Sequence, residues 1–403
     1  MNALPKAIPG RKSEVFLDKE PVTIVIPTHN RRDLVYEAIL SVQAQTHEQW
    51  KLIVVDDHSS DGTIEYLDET IEDPRISIVP LTEGRGGQKA RNLGLELSKS
   101  EYVVFLDSDD MLAPDCLERR LTEIRKSPDL DFVVFQAGLF DDVPGDTDLM
   151  WNYDSGEDVL ERMLRMDQPW QTNCFLWKRE SLVRIGAWDE TLRRAQDLEL
   201  QIRAVARGLS WKWFPVIDCF VRQPSKDRVS IGSTIGQLDE KLTHLDRIDR
   251  TQEVLEASGL FSGDHRTLLA GNYFWLSTGL ASTYGRRHAL NVWKRGWEYG
   301  VLEPDKFFPG LGYLVFQGTA FEHPFVYWIG KYWPNQMFAF IRPFFKKTPR
   351  SYNQKFGELL TRDINPFSSI RMVQDGPIKF LFSKLSRAFS RGPKSPPSGS
   401  QPR

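Results

Sequence analysis

Short apolar runs alternate with helix-spaced stripes along the first third of the chain. Val22-Thr-Ile-Val-Ile26 is a continuous, mostly β-branched run, the pattern of a strand buried on both faces. Lys51–Val55, Arg75–Val79 and Glu101–Leu106 repeat that pattern. Between the runs lie helical segments. Asn30 is placed to cap a helix with Asp33 in its first turn and Leu34, Ala38 and Val42 on one face. Asp61-Gly62-Thr63 opens another. Gly84–Gly87 leads into a third, with Ala90, Leu93 and Leu97 on one stripe. Pro114 suits a first helical position ahead of Leu117, Leu121 and Ile124. This alternation predicts an α/β domain built on a parallel sheet with right-handed crossovers.

From about Gln237 the pattern turns helical. Leu268–Tyr284 and Ala289–Trp297 read as a helix pair, loosely like one tetratricopeptide hairpin, although one such unit makes no repeat. The stretch 307–345 is crowded with aromatics and interrupted by Pro309, Pro324, Pro334 and Pro343. Ile378, Leu381, Leu385 and Phe389 keep helical spacing among Lys379, Lys384, Arg387 and Arg391, a basic amphipathic segment suited to an anionic membrane surface or to ordinary packing. The expected organisation is an N-terminal arm (1–19), a catalytic domain (20–235), a helical segment (236–300), an aromatic-rich helical region (301–391) and a disordered Pro/Ser-rich tail (392–403).

Composition narrows the class. With 40 % hydrophobic and 27 % charged residues, the chain reads as a soluble globular protein. A net charge of −3 supplies no concentrated basic face for nucleic acid. The three cysteines, Cys116, Cys174 and Cys219, fit neither a disulfide framework nor a zinc site, and read as buried thiols in a reducing compartment. The N-terminus carries Lys6, Arg11, Lys12 and Lys19 but no apolar core of a signal peptide. Thr267–Gly285 is long enough to span a membrane, yet Asn272, Ser277, Thr278, Ser282 and Thr283 favour a buried helix. A cytoplasmic location is expected, with peripheral contact at the inner face of the cell membrane through the C-terminal region.

In parallel sheets, ligands sit beyond the carboxyl ends of the strands. Thr28-His-Asn30, Asp56-Asp57 and Asp107-Ser-Asp109 each follow an apolar strand directly. Asp107, Asp109 and Asp110 crowd three carboxylates into one turn, which repel unless a cation offsets them. Hard oxygen donors of this kind suit Mg²⁺ or Mn²⁺ shared with a diphosphate, where the metal assists a departing phosphate. The plainer alternative is a solvated turn ahead of a helix. Asp56 and Asp57 can accept from a base or a ribose hydroxyl, or form an Asx-type turn. Thr28, Asn30 and Arg31 can wrap a base and phosphates. The 84–92 loop lacks both the P-loop ending and the dinucleotide fingerprint, but offers backbone, Arg85, Lys89, Arg91 and a helix start.

The blocks Val-Ile-Pro-Thr-His-Asn-Arg (25–31), Val-Val-Asp-Asp-His-Ser-Ser-Asp-Gly-Thr (54–63), Gly-Gly-Gln-Lys-Ala-Arg-Asn-Leu-Gly (86–94) and Phe-Leu-Asp-Ser-Asp-Asp (105–110) resemble, in order and spacing, those of family 2 glycosyltransferases over about residues 20–230. The resemblance implies a GT-A fold, a Rossmann-like and mostly parallel mixed sheet flanked by helices, here with a mainly helical C-terminal extension. It also implies an inverting transferase of the non-processive bacterial type. The donor would be a UDP-, GDP- or dTDP-sugar, UDP foremost, used with Mn²⁺ or Mg²⁺. By position, Pro27, Thr28, Asn30, Arg31, Asp57, Lys89, Arg91, Asp107 and Ser108 match the donor nucleotide site. Asp109 matches the main metal ligand, with Asp107 beside ribose and metal. His29 is treated as wall and His58 as a turn residue.

The family's usual Glu-Asp pair near the end of the domain is represented by Gln196-Asp197, so Asp197 matches the catalytic base and Gln196 departs from the pattern. Glu199 is the runner-up. Trp170, Gln171 and Asn173 resemble a segment beside the sugar pocket, with Trp170 stacking on a sugar or else belonging to the core. Trp188 matches a packing turn with some acceptor contact. The Gln-x-x-Arg-Trp motif of processive synthases is missing, which favours addition of one sugar to a cell-surface glycan or its lipid-linked precursor, as in polysaccharide biosynthesis. A sugar nucleotidyltransferase is the rival enzyme, but Pro27-Thr-His-Asn lacks its Gly-rich loop. A non-catalytic binding module is the other rival, kept open by Gln196 and opposed by Asp107, Asp109 and Asp197.

Overall fold

The computed structural model describes residues 22–84, 86–151, 154–223 and 238–317. The expected arm 1–19, Arg85, the part of the aromatic region beyond 317, the basic segment 378–391 and the tail 392–403 lie outside the described residues. The strands are β1 (Val22–Thr28), β2 (Trp50–Asp56), β3 (Ile76–Pro80), β4 (Tyr102–Phe105), β5 (Met111–Leu112), β6 (Phe132–Phe140), β7 (Phe175–Lys178) and β8 (Trp211–Arg222). The helices are α1 (Arg32–Gln43), α2 (Thr63–Thr70), α3 (Gly87–Leu97), α4 (Cys116–Lys126), α5 (Val159–Leu164), α6 (Arg179–Ile185), α7 (Gln196–Ala206), α8 (Leu238–Ala257), α9 (Gly263–Tyr284), α10 (Arg286–Glu298) and α11 (Pro304–Gln317).

One eight-stranded sheet runs β3-β2-β1-β4-β7-β6-β8-β5. The β3-β2-β1-β4 half is parallel, as strand–helix alternation predicts. The sheet as a whole is mixed, because β7 pairs antiparallel with both β4 and β6, and β5 pairs antiparallel with β8. This is a mixed α/β sheet flanked by helices, as expected. Every residue of β1 is buried, consistent with its place between two paired neighbours. Helix α3 lies close on β1: a Cβ added at Gly94 would come 2.3 Å from Val25 Cγ1. Only glycine permits that approach.

The far half is fastened by a fully buried ion pair. Arg120 of α4 meets Asp218 of β8 through two hydrogen bonds of 2.8 and 2.6 Å and donates a third to Phe175 O. All three cysteines are buried and free, as expected.

Two helix starts differ from expectation. Asn30 does not cap α1: it takes a left-handed conformation (φ 51°), and its Oδ1 accepts from Ser60 N at 2.7 Å. Arg31 stands at the cap position instead. Pro114 precedes α4, whose cap residue is Asp115. In both cases a short polar side chain or a turn finds its partner across the fold, information that local spacing does not carry.

Helices α9 and α10 form the expected pair. Helix α9 buries Leu268, Leu269, Tyr273, Leu276 and Leu280 together with Asn272 and Ser277. Among the described residues, no helix is long and apolar enough to cross a membrane.

Candidate active site

The turns after β1, β2 and β4 meet at one sheet edge. Asp57 N donates to Thr28 O at 2.7 Å, and His29 Nδ1 lies 2.7 Å from Asp57 O, so His29 is part of the wall. Asp56 is consumed by the turn itself, accepting from Ser59 N and Ser59 Oγ at 2.9 and 2.5 Å. Asp57 Oδ2 accepts from Gly86 N at 2.8 Å and thereby joins the β2 turn to the start of α3. Pro27 and Thr28 form the buried floor, and Thr28 Oγ1 is buried without a hydrogen-bond partner. An orphaned hydroxyl costs free energy unless a ligand or water satisfies it.

The acidic turn after β4 divides its carboxylates between two tasks. Asp107 pairs with Arg91 at 2.5 Å and Asp109 with Arg31 at 2.8 Å, and both side chains keep about a third of their exposure (30 % and 27 %). Arg31 also reaches the buried Ser108 Oγ at 3.5 Å. Asp110 instead points inward, accepting from Arg222 N at 2.9 Å and Asn173 Nδ2 at 3.3 Å. Burial first, then the charges of Asp109 and Asp107, push its carboxyl well above the usual range. Burial also raises Asp109, against the pull of Arg31.

Arg222 secures the turn, donating from Nε to Asp109 O at 3.0 Å and pairing with Glu37 at 2.5 Å. Sequence reasoning missed it. Its signal was its place at the carboxyl end of β8, the same edge as the other turns.

Among the described residues, no group of three or more His, Cys, Asp or Glu is assembled to hold a metal. Two partly exposed carboxylates, each balanced by an arginine, would suit a hard divalent cation through their oxygen donors. The positive charge that the site requires is carried here by Arg31 and Arg91. Lys89 sits half-buried on α3, one turn from the β2 loop.

Helix α7 is joined to α3, the helix that follows the Gly86 turn, through its first residue. Ala195 before it is left-handed (φ 51°). Gln196 donates to Gln88 Oε1 of α3 at 3.1 Å, which ties the two sides together. Asp197 is half-buried in the first turn, where the helix dipole favours a carboxylate, and its Oδ2 accepts from Gln168 Nε2 at 2.6 Å.

The acceptor-pocket expectations need correction. Glu199 is 1 % exposed and locked to Arg203 by bonds of 2.7 and 2.8 Å, so it is a core ion pair. Trp170, also 1 % exposed, is walled in by Phe132, Phe175, Trp211 and Trp213 and has no face free for a sugar. Asn173 is buried as the strut of Asp110. Trp188 is buried edge-on to Phe105, with the Arg91 guanidinium 4.7 Å above its ring. Gln171 alone of that set stays half-buried, at the cap of the turn before β7.

Residues 23–186 match the profile described as Glycosyl transferase family 2. The putative teichuronic acid biosynthesis glycosyltransferase TuaG of Bacillus subtilis (strain 168) is 42 % identical over 104 residues, 26 % of this chain and 41 % of that protein. The succinoglycan biosynthesis protein ExoO of Rhizobium meliloti (strain 1021) is 39 % identical over 106 residues, 26 % of this chain and 30 % of that protein. The aligned part thus spans less than half the length of either relative. Among solved structures, S. aureus TarS 1-349 in complex with UDP-GlcNAc superposes with a TM-score of 0.48 and 17 % identity, over 74 % of this chain and 88 % of that one. The matched span contains all of the motif-bearing turns that meet at the sheet edge, and over residues 23–186 the chain carries a domain of the Glycosyl transferase family 2 type.

Proposed function

We propose that the protein transfers one sugar from a nucleotide-diphosphate sugar, UDP foremost, to a hydroxyl of a glycan or lipid-linked acceptor, with inversion. The observation that carries this reading is the placement of Asp107 and Asp109, each paired with an arginine and partly exposed, at the edge where the strand-end turns meet. Thr28, with its orphaned hydroxyl, and Asp57 line the nucleoside side. Arg31, Arg91 and Lys89 bring cationic charge to the diphosphate. A divalent cation, Mn²⁺ or Mg²⁺, would be held by Asp109 and Asp107 and would neutralise charge on the leaving diphosphate. Once phosphate oxygens enter, the two arginines can exchange their carboxylates for phosphate, which keeps the charge balanced.

Asp197 accepts the proton of the acceptor hydroxyl while that oxygen bonds the anomeric carbon and the bond to the diphosphate oxygen breaks. Gln168 holds the carboxylate in place during this transfer. Attack opposite the leaving group inverts the anomeric centre. The names of the relatives, in teichuronic acid and succinoglycan biosynthesis, support a surface polysaccharide as the acceptor. Such an enzyme works in the cytoplasm or peripherally on the inner face of the membrane.

The test is a thermal-shift panel of UDP, GDP, dTDP and CMP, each with and without Mn²⁺. Metal-dependent stabilisation by one nucleoside diphosphate is expected. Silence across the panel would remove the donor site.

A further inference from the structure

Trp188, expected to make some acceptor contact, is 4 % exposed and lies against the elements that carry the proposed donor site. Its ring stands edge-on to Phe105 of β4, two residues before Asp107, with centroids 5.2 Å apart. The Arg91 guanidinium of α3 lies 4.7 Å from the Trp188 ring centroid, and its Nη2 pairs with Asp107. The tryptophan is thus a plate behind an arginine that reaches the acidic turn.

That plate is fixed from two helices. Asn92, the neighbour of Arg91, donates from Nδ2 to Trp188 O at 2.9 Å and accepts from Trp188 N at 3.0 Å. Arg203 of α7 donates to Ile185 O at 2.6 Å and to Ala187 O at 2.7 Å. Between these clamps the backbone bends through two left-handed residues, Gly186 (φ 95°) and Ala187 (φ 53°). Alanine holds such a conformation only where its surroundings over-determine it. Arg91 has fewer anchors of its own. Its Nε is buried without a hydrogen-bond partner, and its Nη1 passes close enough to Gly87 that an added Cβ would stand 3.1 Å away. Ordering a long arginine side chain costs rotamer freedom. An aromatic face offsets that cost without occupying an N–H group, because the donors lie in the guanidinium plane.

We infer that Trp188 is a positioning residue for Arg91, holding the guanidinium against its ring so that the in-plane N–H groups are presented to the donor diphosphate. The inference rests on the reading of Arg91 as a diphosphate contact. It moves Trp188 from the acceptor side to the donor side. Preference for a diphosphate over a monophosphate then depends on a residue that touches neither.

The deciding measurement is the ratio of the UMP and UDP dissociation constants, by titration calorimetry on the full chain with excess Mn²⁺. GMP and GDP, or dTMP and dTDP, take their place if the wild type responds to that base. A loss of folded protein affects both ligands and cancels in the ratio. In Trp188→Leu the preference for the diphosphate falls by about fivefold, the worth of a partly desolvated cation–π contact. In Trp188→Phe, which keeps a ring face, it stays within about twofold of wild type. Combining Trp188→Leu with Arg91→Met lowers it no further than Arg91→Met alone, since the tryptophan acts through the arginine. An unchanged preference in Trp188→Leu, an equal loss in Trp188→Phe, or an additive loss in the double variant overturns the proposal.

Should Trp188→Leu not fold, Asn92→Ala releases the turn from α3 and lowers the preference by about threefold, the scale of a lost hydrogen bond. An unchanged ratio there overturns the proposal. A wild type that binds no nucleoside diphosphate removes the donor reading, and the positioning role with it. A wild type that prefers the diphosphate, with variants that keep its ratio, removes the positioning role alone.

Discussion

Along β1, β2 and β4, the polar groups proposed to face the nucleotide lie within four residues of their strand's end, and the parallel pairing of those strands carries them to one edge. On the α7 side the arrangement is different. Asp197 is held by Gln168 from a distant loop, Gln196 reaches Gln88 on α3, and α7 packs against α8, a helix beyond the matched span. The proposed donor side is thus a property of strand ends, whereas the proposed acceptor side is assembled from long-range contacts.

The sharpest way to break this comparison is Asp197→Asn. Transfer is expected to fall by about 10²- to 10⁴-fold, the usual contribution of a general base, while the nucleotide-induced thermal shift is retained. Normal turnover would show that the acceptor side is misassigned. On the proposed donor side, Asp109→Ala is expected to lose transfer by about 10²-fold and also the Mn²⁺-dependent thermal shift, since it removes the proposed metal ligand and the carboxylate paired with Arg31. A variant that keeps the shift would move the metal elsewhere.

Glu199→Gln separates the two acids of α7. Unpairing the buried Arg203 should cost about 3–5 kcal/mol in denaturant unfolding, with little change in turnover per folded molecule. A selective loss of turnover would restore Glu199 as a base. Gly94→Ala tests the donor scaffold: its Cβ collides with Val25, and a cost of about 1–3 kcal/mol is expected from the displacement of α3 from β1. Gln196→Glu, which restores the acid usual in the family, should change stability by only about 0.5 kcal/mol, because the Gln88 amide can turn and donate to the new carboxylate.

The core of the donor side was legible because its information is local. A β-branched run followed by Thr28, Asp57 or Asp107 states both the strand and the chemistry at its end. The errors arose where a residue's role depends on what packs around it. Trp170 has the composition of a sugar platform, but four aromatic neighbours enclose it. Glu199 has the charge of a base, but Arg203 one turn later neutralises it. Asp110 sits in the same acidic motif as Asp109, yet faces Arg222 and Asn173 rather than solvent. Arg222 carried no motif at all.

The sequence by itself determined the α/β class, the order of the parallel strands' motifs and the identity of the acidic turn, because hydrophobic period and turn chemistry act over a few residues. Only the tertiary structure decided which acid is strut and which is available, that the sheet becomes mixed beyond β4, and that α8 packs against α7. Those outcomes depend on burial and on charges brought together across scores of residues, and a buried group takes its properties from its neighbours in space.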